Sequence, residues 1–160
     1  MIAREPPIPN IGGAGRQAWS RSDPVGYRGR MAPVARPTNP ATTERVRALC
    51  LRLPGVTEKI SHGEPAWFAG TKLFATTADH HHDERLGLWC AAPPAAQQAL
   101  VEAAPDRFFR PPYVGHRGWL GVYLDVDGVD WEEVAEILER AYRQVAPRRL
   151  VAQLDALDAG

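Results

Sequence analysis

The most regular stretch of the sequence is residues 131–145, whose pattern predicts an amphipathic helix. Asp130 and Glu133 have the spacing of a capping box at its start, and Pro147 ends it. Its apolar residues recur every three or four positions and form one continuous face: Trp131, Val134, Ala135, Leu138, Ala141, Tyr142 and Val145. A helix with one apolar face has to bury that face against a second layer.

Short strand patterns earlier in the chain supply such a layer. Residues 56–61 read as extended chain, and residues 66–69 and 72–78 flank Gly70-Thr71 as the two strands of a hairpin. Residues 85–90 predict a third strand. Neighbouring strands joined by short turns are antiparallel, so these patterns predict an antiparallel sheet.

A second hairpin is predicted at residues 111–125. Its two prolines favour an extended start, Gly115 and Gly118 bracket a tight reversal, and the residues from Trp119 to Leu124 alternate as in a strand. His116 and Arg117 would then stand at the solvent-facing tip. Such a pair at a hairpin tip is either a contact surface or a solvated turn.

Two further helices complete the predicted order. Thr42 or Thr43 can cap the first, and Pro93 opens the second. Their apolar stripes are Val46, Leu49, Cys50 and Leu53, and then Ala96, Ala99, Leu100 and Ala103. The order α-β-β-β-α-β-β-α predicts a two-layer α+β domain over residues 41–154, with a five-stranded antiparallel sheet, helices on one face and a tail at 155–160.

The first 40 residues have a different composition. They contain seven prolines, five glycines and six arginines without hydrophobic periodicity, which is typical of a disordered extension. The arginines could form a basic arm for an anion such as nucleic acid. Alternatively, translation begins at Met31 and part of this segment is not made.

Charge and cysteine usage restrict the class of protein. The chain has 19 basic and 19 acidic side chains, and residues 41–160 hold 13 basic against 17 acidic ones, a net charge of −4. An acidic domain is not expected to bind phosphate along its whole surface. Cys50 and Cys90 lack a ligand-like or disulfide spacing, so we expect reduced, buried thiols. Without a long apolar run or a secretory signal, we expect a cytoplasmic protein with no membrane contact; its abundant arginine and scarce lysine indicate a GC-rich genome.

No residue pattern predicts catalysis, a cofactor or a metal. His80, His81 and His82 are adjacent, but no distant Cys or His completes a four-ligand set. Ser61-His62 reads as a polar turn. His62, Glu64 and His116 are the residues that could share acid–base work, and nothing in the sequence brings them together. We therefore expect a protein that is not an enzyme.

Alternation along the strands predicts an aromatic sheet face. If Leu120, Val122 and Leu124 face the helices, Trp119 and Tyr123 face away from them. Trp89 and, in one of its two registers, Trp67 would join that face. Such a face would be a ligand-binding surface or a homodimer interface, unless another part of the chain covers it.

Several separated motifs together resemble the MmcQ/YjbR family, from about Thr43 to Leu154. They are Leu53-Pro54-Gly55-Val56, Gly63-Glu64-Pro65-Ala66, Gly70-Thr71-Lys72-Leu73-Phe74-Ala75, Pro112-Tyr113 with His116 and Gly118-Trp119, Ala141-Tyr142-Arg143, and Ala146-Pro147-Arg148-Arg149-Leu150. The first 40 residues lie outside this resemblance. It implies a two-layer α+β fold akin to that of secretion chaperones.

The resemblance also implies DNA binding through two hairpin wings, which here turn at Gly70-Thr71 and at residues 115–118. The residues implied as DNA contacts are Lys72, Arg110, His116, Arg117, Arg148 and Arg149. Trp67, Tyr113, Trp119 and Tyr123 are the candidates for stacking on bases or on another ligand. The alternative function is that of a protein-interaction or small-ligand-binding module that uses the aromatic face. In that alternative, the same face could also join two copies of the chain as a homodimer.

Overall fold

The computed structural model describes residues 39–80 and 84–160, so the predictions for residues 1–38, including the disordered extension and the Met31 start, lie outside it, as do those for His81 and His82. The helices are α1 Pro40–Leu51, α2 Ala96–Ala103, α3 Trp131–Val145 and α4 Arg148–Ala159. The strands are β1 Val56–Ser61, β2 Glu64–Ala69, β3 Lys72–Asp79, β4 Leu86–Cys90, β5 Phe108–Phe109 and β6 Leu120–Tyr123.

The strands form one antiparallel sheet in the order β1-β2-β3-β4-β6-β5. The predicted α+β class is confirmed, with six strands in the described ranges where five were predicted. The additional strand is β1, which was expected as extended chain and pairs with β2 from Val56 opposite Ala69 to Ser61 opposite Glu64. An edge strand of this kind is stabilised by its neighbour, which local pattern alone does not show.

One face of the sheet packs against the helices. Trp67, Ala75, Cys90 and Leu120 are successive cross-strand partners, so their side chains lie on the same face, and each is at most 1% exposed. From α3, Tyr142 packs edge-on against Phe74 with ring centroids 5.7 Å apart. This face and the apolar stripes of α1 and α3 form the core.

The helix ends follow side-chain caps where the sequence offers them. Asp130 accepts hydrogen bonds from the backbone N–H groups of Glu132 and Glu133, both at 3.1 Å, as its position predicted. The first helix begins earlier than predicted, because Asn39 caps it by accepting from Thr42 N at 3.3 Å and Pro40 occupies the first turn.

The predicted start of the second helix was wrong, and two of the four residues in its predicted apolar stripe are exposed. Ala95 has a left-handed backbone, φ 69°, so α2 begins at Ala96 rather than at Pro93. Ala99 and Ala103 are exposed. The half-buried residues of the helix are Ala96, Gln97, Leu100 and Val101, so Ala96 and Leu100 of the predicted stripe do face the protein.

The second predicted hairpin also differs from the structure. Its first strand is β5, where Phe108 and Phe109 pair with Val122 and Gly121, and residues 110–119 form a longer connection. Two successive prolines have no N–H to donate to a strand ladder, so pairing stops before Pro111. A 3-10 turn at Gly115–Arg117 carries the predicted tip.

The last helix, α4, includes most of the residues that were predicted as a tail. Residues 155–159 continue α4, a helix that the sequence pattern did not predict. Leu150 and Leu154 hold it against the domain. No helix in residues 39–80 and 84–160 has both the length and the apolar character needed to span a bilayer.

Candidate functional site

The sheet face away from α1 and α3 carries its own row of residues. Ala66, Thr76, Trp89 and Gly121 are cross-strand partners and alternate with the core-facing row. The connection between β5 and β6 lies over part of this outer face. Its residues Tyr113, Val114 and Trp119 reach toward Trp89 and enclose space above the sheet.

The space enclosed there is a cavity of about 430 Å³. Its lining residues are Ser61, His62, Glu64, Ala66, Leu73, Thr76, Thr77, Ala78, Trp89, Tyr113, Val114 and Trp119. The walls are mostly apolar, and three of them are aromatic rings. Pockets of this size and character commonly hold small ligands.

Gln97 fixes the connection over the sheet. Its side-chain amide donates hydrogen bonds to the carbonyl oxygens of Gly115, at 2.8 Å, and Trp119. The Arg110 side chain packs so closely on Gly115 that an added Cβ would lie 2.5 Å from its Cγ. Sequence reasoning missed Gln97, because a glutamine within a helix carries no pattern that indicates a distant backbone partner.

The polar groups of the cavity lie at the β1–β2 end. Glu64 is 8% exposed, and Thr77 Oγ1 donates a hydrogen bond to its Oε1 at 2.8 Å. Ser61 Oγ and His62 Nδ1 are 3.2 Å apart at the rim. None of the residues that line the cavity is a lysine or an arginine. The cavity therefore combines mostly apolar walls with polar side chains at one end.

Of the four aromatic residues predicted to stack on a ligand, Tyr113 and Trp119 line this cavity. Trp119 is 6% exposed, whereas Tyr113 is 74% exposed and therefore lies at the mouth. Trp89, which strand alternation assigned to this face, is the third aromatic wall.

The other two aromatic residues lie elsewhere. Trp67 is fully buried on the helix side, where its Nε1 donates to Glu58 Oε1 at 3.2 Å, so its assignment to the ligand face was wrong. The pairing of β2 with β1 and β3 decided that register. Tyr123 does lie on the outer face, but it stacks on Phe109, with centroids 4.5 Å apart, under the Arg85 guanidinium at 3.8 Å.

The two predicted wings lie at the same end of the sheet. Leu120, the first residue after the 110–119 connection, pairs with Cys90, which in turn pairs with Ala75. Ala75 lies three residues after Lys72, which adjoins the β2–β3 turn, so the turn and the connection are at the same end of the sheet. A Cβ added to Gly70 in that turn would be 3.4 Å from Pro147. Because Pro147 directly precedes α4, the first turn of α4, with Arg148 and Arg149, begins beside the hairpin.

Five of the six predicted contact residues are lysine or arginine, and none of these five pairs with a carboxylate in residues 39–80 and 84–160. Within the described ranges, the structure forms no ion pair with Lys72, Arg110, Arg117, Arg148 or Arg149. The sequence has no Asp or Glu at 65–78, 107–124 or 140–154. By contrast, acidic partners pair with Arg47, Arg85, Arg107 and Arg143.

His116 is exposed on the 3-10 turn and does not line the cavity. Of the three residues considered for acid–base work, the cavity therefore brings together His62 and Glu64 only. Arg117, next along the turn, lies over the Trp119 ring with its Cζ 5.9 Å from the centroid. Among the described residues, no three His, Cys, Asp or Glu side chains group as metal ligands.

The opposite end of the sheet is acidic. Asp79, at the end of β3, pairs in register with Leu86, whose backbone N–H donates to Asp125 Oδ2 at 3.3 Å. The Arg85 guanidinium donates two hydrogen bonds of 2.8 Å to the Asp125 carboxylate. Glu84 and Asp127, which are close to these residues in the chain, are exposed. These carboxylates therefore lie at the end of the sheet away from the wings.

A sequence profile of the YjbR family matches residues 51–144. The chain belongs to the YjbR family. A search of curated proteins gave no match. A crystal structure of the Deinococcus radiodurans protein DR2400, a DUF419 domain, is similar in fold at 22% identity, with a TM-score of 0.53 over 64% of this chain and 77% of that one.

The part of the chain matched to the YjbR family contains every residue that lines the cavity. It also contains Lys72, Arg110, His116 and Arg117 but ends before Arg148 and Arg149. The cavity and the two wings therefore belong to the segment that the YjbR profile matches, and the cations of α4 follow that segment.

Proposed function

We propose that this YjbR-family protein is a DNA-binding module that contacts the phosphate backbone with the wing end of its sheet. The observation that carries the proposal is that the wing end of the sheet has Lys72, Arg110 and Arg117 in its two wings and Arg148 and Arg149 in the adjoining first turn of α4, with no ion pair to any of them in the described ranges. Lysine and arginine side chains that are not already paired can exchange counterions for phosphates, which drives nucleic-acid binding. Arginines held in ion pairs cannot do so without losing those pairs.

The net charge of −4 disfavours phosphate binding along the whole surface, but not at one end of the sheet that lacks carboxylates in its turns. A domain with a basic and an acidic end is attracted to a polyanion at one end and repelled at the other, so its field orients the encounter. The acidic groups around Asp79 and Asp125 would then face away from the DNA.

The start of α4 adds a second reason. The first turn of this helix holds Arg148 and Arg149 and no acidic residue. The N-terminal end of a helix carries a partial positive charge, so cations there are unfavourable for the isolated helix. A bound phosphate would relieve both charges at once.

Fluorescence anisotropy with labelled duplex and single-stranded DNA tests the proposal. Affinity should fall as salt rises from about 50 to about 200 mM. In duplex DNA, the triple variant Lys72→Gln, Arg110→Gln, Arg117→Gln should reduce the salt slope by roughly 3. The matched control is Arg140→Gln, an exposed cation on α3, which should leave the slope unchanged.

An undetectable affinity of the wild type at roughly 50 μM protein, or a triple variant that binds as the wild type does, would refute the proposal. It assigns the protein a binding role rather than catalysis, in the cytoplasm, where DNA is accessible. The predicted homodimer stays a prediction, which light scattering at several protein concentrations would test.

A further inference from the structure

We propose that a groove between α1, α3 and α4 is a docking site for a cationic amphipathic helix of a partner protein. The groove lies in the helix layer of the fold, and none of its lining residues in the described ranges belongs to a wing or to the cavity over the sheet. The proposal therefore goes beyond DNA binding, and either of the two can fail without the other.

The interior of the groove is apolar. Its volume is about 310 Å³, and four leucines line it: Leu49 from α1, Leu53 from the turn after α1, and Leu154 and Leu157 from α4. Ala135 of α3 supplies a further apolar wall. Leu53 and Leu154 are buried and Leu49 is half-buried. The groove can therefore accept apolar side chains of a partner and remove them from water.

The last leucine of α4 is left exposed at this groove. Leu150, Leu154 and Leu157 have the spacing i, i+4 and i+7, so they share one face of the helix. The first two are 3% and 6% exposed, whereas Leu157 is 66% exposed. The apolar face of α4 thus extends beyond the part that the domain buries, and a helix docked in the groove would cover the rest.

The rim of the groove is acidic. Its charged lining residues are three carboxylates and one guanidinium, namely Glu136, Glu139, Asp158 and Arg52. Within residues 39–80 and 84–160, the exposed Glu136 forms no ion pair. Arg143 pairs with Glu139 and Asp158, but it also pairs with a further carboxylate, that of Asp155. Counting Arg143 together with Asp155 therefore leaves the net charge of the rim at −2.

Charge complementarity decides which partner such a groove would hold. The acidic rim would repel nucleic acid and an anionic membrane surface. A second copy of the chain, packed through the same groove in a two-fold dimer, would bring two acidic rims together. A helix with leucines on one face and lysines or arginines beside them would instead fill the groove and meet opposite charges at its rim.

Fluorescence anisotropy with a labelled synthetic helix tests the proposal on the full chain. The probe has about 16 residues, with leucine at i, i+3, i+4 and i+7 on one face and with lysine and alanine elsewhere. One comparison peptide has glutamate in place of lysine, and a second has the same composition with its leucines distributed around the helix. The probe should bind at least about tenfold more tightly than either comparison peptide, and its affinity should fall as salt rises.

Two substitutions separate the apolar contribution from the charge contribution. Leu157→Gln should weaken probe binding at least about fivefold, because it removes an apolar contact, and should leave the melting temperature unchanged, because Leu157 is largely exposed. Glu136→Gln should weaken binding about twofold to fourfold and reduce its dependence on salt.

The matched controls are an exposed leucine and an exposed carboxylate outside the groove. Leu51 is 44% exposed on α1, and Glu102 is exposed on α2, but neither lines the groove. Leu51→Gln and Glu102→Gln should therefore bind the probe as the wild type does.

The outcomes distinguish this proposal from the proposed function. No binding at roughly 100 μM protein, equal affinity for the three peptides, or equal losses in the groove and control variants would overturn the inference. A wild type that is dimeric by light scattering and monomeric after Leu157→Gln would assign the groove to a second copy, which also overturns it. Probe binding that depends on Leu157, in a protein that binds no DNA, would refute the proposed function and retain the groove.

Discussion

Replacing Glu58 by glutamine should destabilise the fold by about 2 kcal/mol, because one carboxylate joins three elements. Arg47 of α1 donates to both oxygens of Glu58, at 2.8 and 3.0 Å, and the buried Trp67 Nε1 donates at 3.2 Å. Hydrogen bonds to charged groups contribute about 1.5–3 kcal/mol in buried sites. The Glu58 and Arg47 side chains are 22% and 27% exposed, so we take the lower part of that range for the whole network.

The same network should depend on pH. The hydrogen bonds from Arg47 hold the pKa of Glu58 below its usual range. The ionised form is therefore favoured in the folded state, and its stabilisation is present above the unfolded pKa of about 4.3. It is lost as the pH falls through the lower folded pKa, so the advantage of the wild type over Glu58→Gln should shrink between about pH 5 and pH 3.

Urea unfolding followed by tryptophan fluorescence measures both effects, with thermal melting as a second readout at roughly 4 °C per kcal/mol. Glu44→Gln is the matched control, because Glu44 also pairs with Arg47 but is 67% exposed. Its loss should be below about 0.5 kcal/mol. Equal effects of the two substitutions, or a Glu58→Gln deficit that is unchanged at low pH, would refute this reasoning.

Two further predictions concern packing. An alanine Cβ at Gly121 would lie 2.4 Å from the Phe109 ring, so Gly121→Ala should lower the free energy of unfolding in urea by about 1–3 kcal/mol. Adding Phe109→Leu should recover part of this loss, because the smaller side chain leaves room for the Cβ. If the losses of the two substitutions are additive instead, the contact is not their cause. Burial raises the pKa of the Cys90 thiol to about 12 and also raises that of Cys50, so neither should react with iodoacetamide at pH 8 until the protein unfolds. Fast labelling of native protein would show that the sheet opens.

Local sequence was enough to predict the elements that depend on neighbouring residues. The helix at 131–145 was predicted because capping and an apolar face at i, i+3 and i+4 act within one segment. The turn at Gly70-Thr71 and the inward side of Leu120 and Val122 likewise follow from short-range geometry.

Features that depend on strand register could not be predicted from local sequence. Trp67 faces the core because β2 begins at Glu64 and pairs with β1, and the β2–β3 ladder shifts register between Trp67 and Phe68. A displacement by one residue reverses the side of every side chain, and the local pattern of β2 is compatible with either. The actual face of Trp67 was therefore a property of the whole sheet.

The candidate site shows the same limit. The sequence predicted the five cations through its resemblance to the YjbR family, and strand alternation predicted that Trp119 lies on the outer face. The sequence did not predict the hydrogen bonds from Gln97 to the 110–119 connection, the cavity, or the different charges at the two ends of the sheet. Each of these depends on residues far apart in the chain that meet only when the six strands have paired, since the order of the strands decides which turns share an end.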